Sequence, residues 1–535
     1  MSSRPPRRSV LSLIALATAG TAFGAQALRE KVLRPDRLAA DAPTRLTMVE
    51  PAANVRAPAA QVRSIVDENL AAGSRNWIPD QNIGKASSDT YGHIMGYTST
   101  TSAGHGDAVD FHVSVRSAKT YRVSVFRIGY YGGKGARLMT TSPVLTGRRQ
   151  AAPVSDRETG ALSCAWARSW GIRVPESWRS GLYQAVFTTA DGYRSSTPFV
   201  VREPQRSSAL LCVIPFTTYQ AYNMWPKDGK AGKNLYGGYL PGGGAGGAAS
   251  RSLKVSFDRP YSGAGTPSWF NMDTSFVRWA EERGYDITYA SSVDLHDGSV
   301  DPARYRAVFF PGHDEYWSKQ MYDSASGAVA AGRNLAFLGA NNVYFHVRLE
   351  RSATGRPDRV MACYKSAPDP GAGESGATTI WRSILPDRAL AEQRLLGIQF
   401  SGIVKKPTPL VVRQPGHWLW RGTGVKDGEQ LANLVGVEAD CYDIHSPQPQ
   451  GRRTLLADSR YEDSKQAKTK TQHTAVTEHT GGGTVFMAGT FHWPLMLVDD
   501  DAYTRKTVKP SGATKAKIRR ATANAVFRLT AGAPR

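Results

Sequence analysis

The strands written into this chain come in two kinds, and the change from one to the other at Pro204 limits the fold more than any other feature. Upstream, Val109, Phe111, Val113 and Val115 alternate with Asp110, His112 and Ser114, the period of a strand with one face in a core and one in water. Tyr121 to Ile128 repeats the alternation, and Tyr130-Tyr131-Gly132-Gly133 breaks it. Leu182 to Thr189 and Tyr193 to Val201 flank Asp191-Gly192, a hairpin-turn signal. No convincing helical period interrupts residues 67–203, so a β-sandwich is the expected solution there.

Downstream, Ala209-Leu210-Leu211-Cys212-Val213-Ile214 is wholly apolar, as expected of a strand covered on both faces. Residues 273–283 read as a helix that Asp273 caps and Gly284 ends. Strands at Asp286–Ala290, Ala307–Phe310 and Asn334–Leu338 follow, with a helix from Ser318 to about Gly332 between the last two. This succession describes an open α/β sheet, which a strand at Thr484–Gly489 and a helix over Thr514–Leu529 could complete. Residues 364–480 are less readable and are expected to carry insertions. The seven glycines between Gly237 and Gly247 do not sit in phosphate-binding spacing and read as a mobile loop.

At 535 residues the chain exceeds one ordinary core. Four parts are expected: residues 1–27 as a leader, 28–66 as an Ala/Pro/Arg-rich linker, 67–204 as the sandwich, and 205–535 as the α/β domain. Arg4, Arg7 and Arg8 precede the uncharged stretch Ser9–Leu28, which contains Ala25-Gln26-Ala27. A positive start, an apolar middle and an Ala-x-Ala site describe a cleavable secretory signal, and Arg7-Arg8 resembles the twin-arginine type. A secreted or cell-surface location is therefore expected. Lys and Arg number 67 against 45 Asp and Glu, a net charge of +22. The excess is scattered, with denser stretches at Lys465–Lys470 and Arg505–Arg520, and export argues against nucleic acid as its partner. It suits a surface facing anionic cell-wall polymers.

Open α/β sheets bind ligands beyond the carboxyl ends of their strands. Here those ends lead into Phe216–Asn223, into Asp294 and His296, into Gly312-His313-Asp314-Glu315-Tyr316-Trp317, and into Gly339-Ala340-Asn341-Asn342. Tyrosine, histidine, carboxylate and asparagine thus converge on one rim. Each tyrosine could simply cover the top of the sheet with a wet hydroxyl, and His313 could hydrogen-bond locally. Glu315 is harder to dismiss, because a carboxylate between a buried strand and Tyr316-Trp317 needs a partner. No nucleophile elbow, His-Glu-x-x-His or Cys-x-x-Cys occurs. Cys212 lies inside a strand, so a thiol nucleophile is not expected; Cys363 and Cys441 are a pair that export could bridge.

The runs Thr218–Asn223, Asn234–Gly237, Phe257–Tyr261, Gly312–Ser318 and Gly339–Asn342 resemble the large (beta) subunit of N,N-dimethylformamidase and its secreted relatives. Tyr121–Gly133 resembles the sandwich that precedes the domain in those relatives. The resemblance implies an immunoglobulin-like sandwich followed by a fold like that of class I glutamine amidotransferases. It also implies amide hydrolysis at a mononuclear, ferric iron held by two tyrosines and a glutamate. Glu315 matches the glutamate, and Tyr219 and Tyr236 match the tyrosines, with Tyr222 and Tyr261 as competitors. His313 and Asn341 match catalytic positions that do not bind metal: a proton shuttle to the leaving amine and a donor to the developing oxyanion. Two phenolates and a carboxylate form a hard donor set suited to trivalent iron. Ionising each phenol at neutral pH costs roughly 4 kcal/mol, which a highly charged cation would supply.

Two functions follow from these residues. The first is an exported, iron-dependent hydrolase of C–N bonds in small amides. The second is a cell-surface protein that binds a ligand such as a carbohydrate at the same rim without catalysis. Substrate identity and oligomeric state stay open at this point.

Overall fold

The computed structural model describes residues 64–531 except 79–83, 204, 207, 385–387, 502 and 503. The proposed leader and nearly all of the linker lie outside the described residues.

The alternating region folds into two sheets that share one core. Strands β1 (Ile94–Thr98), β2 (Ala108–Val115), β3 (Thr120–Ile128), β4 (Ala136–Thr141), β5 (Trp170–Arg173), β6 (Gly181–Thr189) and β7 (Tyr193–Val201) form its body. One sheet runs β7-β6-β3-β4 and the other β5-β2-β1. Their inward residues, among them Val109, Phe111, Val113, Val123, Val125, Phe187 and Phe199, make a separate apolar cluster. The rings of Phe187 and Phe199 meet that of Phe111 edge-on at 6.5 and 6.2 Å, the arrangement aromatic quadrupoles favour. Asp191-Gly192 makes the expected turn, with Gly192 at φ +87°.

The strands after Pro204 form the second body. They are β8 (Leu210–Ile214), β9 (Ile287–Ser291), β10 (Ala307–Phe310), β11 (Tyr316–Ser318), β12 (Asn334–Phe337), β13 (Gly451–Glu462), β14 (Thr469–His479) and β15 (Thr484–Met487). The helices that matter most are α1 (Phe216–Ala221), α2 (Phe270–Glu282), α3 (Lys319–Ala330) and α4 (Gly512–Thr530). The main sheet is ordered β9-β8-β10-β12-β15-β14-β13. Its first five strands are parallel and the last two form an antiparallel hairpin. Alternate residues of the parallel strands feed two cores. Cys212, Phe309, Ala336 and Phe486 pack with residues of α2 and α4 on one face. Leu211, Val213, Val308, Phe310, Leu335, Phe337, Val485 and Met487 pack with α3 on the other. Both faces are covered, which is why these strands tolerate no polar alternation. The protein is thus sheet-rich, with mixed sheets and few helices.

Two expectations change. Asp273 does not cap α2: the helix begins at Phe270 after Trp269 in a left-handed conformation, and the Asp273 side chain is buried. The short helix Ile65–Asn69, capped by Ser64 and Asp67, straddles the expected linker boundary and packs into the molecule through Ile65. In the basic stretch near the C-terminus, Lys515 and Arg519 pair with Asp499, and Lys517 pairs with Glu429, at the protein surface. All four cysteines are free thiols. Among the described residues no helix is long and apolar enough to cross a membrane.

The seam between the two bodies is polar and buried. Arg127 of β3 reaches Glu281 of α2 through two bonds of 2.7 and 2.9 Å, with both side chains wholly out of solvent. Tyr289 and Asn69 also donate to Glu281, and Tyr131 and the Ser180 carbonyl accept from Arg127. Ser180 further accepts from the Tyr289 backbone N–H at 2.8 Å, so the sandwich covers the β9 edge of the main sheet.

A second seam contact yields a prediction. Asp294 accepts from Ser102, Arg202 and the Ser291 N–H. Burial pushes its carboxyl up to about 6 against the pull of Arg202. Between about pH 4 and 6 the native state keeps a proton that the unfolded chain has lost. Stability therefore falls as pH rises through that window, by on the order of 3 kcal/mol. Asp294→Asn is expected to flatten this part of the profile, as measured by denaturant unfolding of both proteins at pH 4.5 and pH 7.

Candidate active site

The parallel strands occur in the order second, first, third, fourth, fifth, so the direction of winding reverses between β8 and β10. That switch point is where a crevice opens beyond the strand ends in doubly wound sheets. The residues singled out from the sequence leave these two strands. Chain from β8 turns through Pro215 into α1, whose C-terminal end presents Tyr222. Chain from β10 runs through Gly312-His313-Asp314-Glu315 into β11.

The phenols of Tyr222 and Tyr236 both point at the carboxylate of Glu315. Tyr236 Oη lies 2.6 and 2.7 Å from its two oxygens, and Tyr222 Oη donates to Oε2 at 2.7 Å. The two hydroxyl oxygens are 3.0 Å apart. His313 Nε2 stands 3.1 Å from Glu315 Oε2 and 3.2 Å from Tyr222 Oη, and its Nδ1 is 3.1 Å from the Ala340 carbonyl. The carbonyl fixes the proton on Nδ1, so the Nε2 end is the one that faces the cluster. Tyr222 is 8% exposed, and the others are 3% or less.

Backbone contacts set this geometry. Thr218 Oγ1 accepts from the N–H groups of Glu315 and Tyr316, tying α1 to the turn after β10. Gly312 lies so close to Asp273 that an added Cβ would fall 2.4 Å from its carboxyl oxygen, and a Cβ on Gly339 would fall 2.5 Å from the Gly312 carbonyl. In the turn after β12, Asn341 and Val343 have φ of +53° and +55°. A β-branched residue there is an outlier, and such strain is concentrated at functional sites. Asn341 is buried, its N–H donates to Asp440, and its side chain lies against the Glu438 carboxyl.

The charges are arranged to hold Glu315 ionised. Burial opposes ionisation, but the bonds and charge from His313, the charge of Lys365 and the bond from Tyr236 outweigh it and bring the carboxyl below its ordinary range. His313 is raised to about 9, because Glu315 and Glu438 overcome its burial. Lys365 is lowered to about 8 by burial. Its Nζ sits 3.6 Å from the centroid of the Tyr236 ring and donates to Tyr316 Oη at 3.0 Å. Burial pushes Glu438 up to about 8 and Asp440 up to about 7. Burial, with Glu315 next in weight, holds the Tyr222 and Tyr236 phenols well above their ordinary value.

The structure therefore brings Tyr236, Glu315 and His313 together, with Asn341 on the adjoining turn, and adds Tyr222. It does not bring Tyr219 to them: that hydroxyl donates to Asp273 at 2.6 Å, and its ring packs edge-on against Tyr261. Tyr219 and Tyr222 are three residues apart, and sequence spacing could not say which one leaves the helix toward the crevice. Lys365, Glu438 and Asp440 were missed, since all three come from the stretch that had resisted reading. Among the described residues no group of three or more His, Cys, Asp and Glu side chains is placed to hold a metal.

Comparison with known proteins agrees with the resemblance. Residues 122–505 match the family described as N,N-dimethylformamidase beta subunit-like, C-terminal. The N,N-dimethylformamidase beta subunits of Alcaligenes sp. and Paracoccus aminophilus are 23% and 25% identical over 350 residues, covering 56% of this chain. The chain spans 45% of the length of those curated relatives. A ThuA-like protein from Parabacteroides merdae aligns over 50% of this chain and 88% of its own at 13% identity. Its TM-score of 0.27 is too low to bear on the fold. The family match spans most of the chain and includes every residue of the tyrosine–glutamate cluster, and on that ground the chain belongs to the N,N-dimethylformamidase beta subunit-like family.

Proposed function

We propose that the protein is an exported hydrolase of C–N bonds in small amides, holding one ferric iron on Tyr222, Tyr236 and Glu315. The observation that carries this reading is the convergence of two phenolic oxygens on one buried carboxylate, all within 2.6–3.0 Å. Neighbouring ligands of a small octahedral cation with bonds of about 2.0 Å are separated by about 2.8 Å, so the set fits such an ion with little rearrangement. Three hard oxygens carrying up to three negative charges suit a trivalent metal. Burial and Glu315 disfavour ionised phenols, and a highly charged cation at the shared point reverses that preference. The parallel sheet's strand order and the two-sheet packing upstream support the amidotransferase-like fold and the immunoglobulin-like sandwich as part of this reading. Arg7-Arg8 and Ala25-Gln26-Ala27 support export.

Bound iron supplies Lewis-acid polarisation of the amide carbonyl and a water of lowered pKa. The chain's own groups do the rest. His313 holds and releases a proton at Nε2, within reach of a leaving amine. The Asn341 amide offers an N–H to the carbonyl oxygen as it gains charge. Lys365 places its ammonium on the Tyr236 ring, which favours the ionised phenol. Glu438 neighbours Asn341 and is a second proton carrier on that side.

Metal analysis of the purified, iron-reconstituted protein, together with a screen of small amides, tests the reading. One iron per chain and turnover of at least one amide are expected. Protein that takes up no iron and hydrolyses none of the amides would sink it, and glycan binding by the iron-free protein would favour the binding role instead. Asn341→Ala is expected to lower kcat about 10²–10³-fold with iron content unchanged, as read from steady-state kinetics and metal analysis.

A further inference from the structure

The carbonyls from Gln220 to Asn223 lie at and beyond the C-terminal end of α1, where the helix has few or no donors of its own for them. Each is met from outside. The Ala221 carbonyl accepts from the Leu235 N–H at 3.1 Å. The Tyr222 carbonyl accepts from Asn234 Nδ2 at 3.0 Å. The Asn223 carbonyl accepts from Arg259 Nη2 at 3.0 Å, and the same nitrogen lies 3.4 Å from the Gln220 carbonyl. Arg259 Nη1 turns the other way, to the Lys233 carbonyl at 2.9 Å. Asn234 also faces both ways, because its Oδ1 accepts from the N–H groups of Tyr236 and Gly237, each at 2.9 Å. Two side chains therefore fasten the peptide that carries Tyr222 to the peptide that carries Tyr236.

Neither side chain has another evident task. Arg259 is wholly buried, and its hydrogen bonds go to three backbone carbonyls and to Gln220 Oε1, never to a carboxylate. Burial accordingly lowers its pKa to about 10. A guanidinium buried without an anion is expensive, and a neutral core residue would be the cheaper way to fill the space. What the guanidinium offers is a rigid fork of donors able to span two segments. Asn234 is buried as well, and its side chain bonds to the two tyrosine-bearing peptides.

We propose that Asn234 and Arg259 are positioning residues that set the spacing of the Tyr222 and Tyr236 hydroxyls and thereby govern metal uptake without touching metal or substrate. The inference rests on the tyrosine–glutamate site proposed above. Asn234→Ala removes both halves of one clamp. Asn234→Asp keeps the acceptor for the Tyr236 and Gly237 N–H groups and loses only the donor to Tyr222. Arg259→Met removes the other clamp, and Arg259→Lys keeps its charge with one reachable carbonyl.

Each full-length variant is titrated with iron, and its ferric-phenolate absorption is recorded beside far-UV and near-UV circular dichroism of the metal-free protein. Asn234→Ala is expected to bind iron at least about tenfold more weakly, with a shifted absorption band, a changed near-UV signal and an unchanged far-UV spectrum. Asn234→Asp is expected to fall between it and wild type, and Arg259→Lys to recover part of what Arg259→Met loses. If wild type binds iron and Asn234→Ala binds it equally well with the same band, the positioning role is overturned while the metal site stands. If wild type binds no iron, the metal site falls, and the near-UV signal alone decides: no change in Asn234→Ala overturns the clamp. Should Asn234→Ala fail to fold, Asn234→Asp takes its place, and wild-type behaviour there is equally fatal.

Discussion

Glu315→Gln is expected, on the iron-dependent reading proposed above, to abolish nearly all iron binding and to cost at least about a thousandfold in amide turnover, while the fold stays intact. A thousandfold corresponds to about 4 kcal/mol of lost transition-state stabilisation. Glutamine keeps the volume of a side chain that is 1% exposed, so no cavity opens. It replaces the anion toward which two phenols and His313 are turned with a neutral amide whose NH₂ end would face hydroxyl donors. One of three negative charges is lost, and the two phenols must then ionise with one fewer anionic ligand holding the cation. Metal content and kcat/KM, measured on protein with a native far-UV spectrum, check this. A Gln variant that retains full iron or wild-type turnover would remove Glu315 from the site.

The second large effect is structural. Glu281→Ala is expected to destabilise the protein by about 3–5 kcal/mol, because it leaves the Arg127 guanidinium charged and buried without its anion. Burial works against that charge, and Glu281 more than compensates, holding Arg127 well above its ordinary pKa. Tyr289 and Asn69 would lose an acceptor at the same time. The double replacement Arg127→Met with Glu281→Leu removes both charges and is expected to recover more than half of the loss. Denaturant unfolding of the single and double variants measures the cycle, and a single-variant cost below about 1 kcal/mol would refute the assignment.

The strands and their two periodicities were legible, since alternation in β2 and β3 and unbroken apolarity in β8 and β10 follow from how many faces each strand buries. So was the rim, because residues at the ends of parallel strands converge whatever the family. The choice between Tyr219 and Tyr222 was not legible: it depends on α1 ending at Ala221 and on Asp273 being buried where it takes the Tyr219 hydroxyl. That in turn depends on α2 starting a turn before the residue that looked like its cap. Lys365, Glu438 and Asp440 were hidden for another reason. Lys365 follows a strand of only three residues, Val360–Ala362, and Glu438 and Asp440 lie in a two-stranded ribbon whose register shifts at Phe400/Gly402, which disturbs the period of two on which strand reading relies.

An open sheet presents two edges, and each is a template for pairing with another molecule. In this protein the β9 edge is closed by the sandwich, where Ser180 occupies the Tyr289 backbone N–H. The β13 edge is met by residues 404–413, where the Lys405 and Arg413 N–H groups donate to the Glu462 and Leu456 carbonyls and Val412 bridges Ala457, which leaves little of it for a second strand. Colloidal behaviour therefore depends on a domain that contributes nothing to the tyrosine–glutamate cluster. Separated from its sandwich, the α/β body would expose the five-residue β9 edge, and its natural fate in concentrated solution would be strand-to-strand self-association.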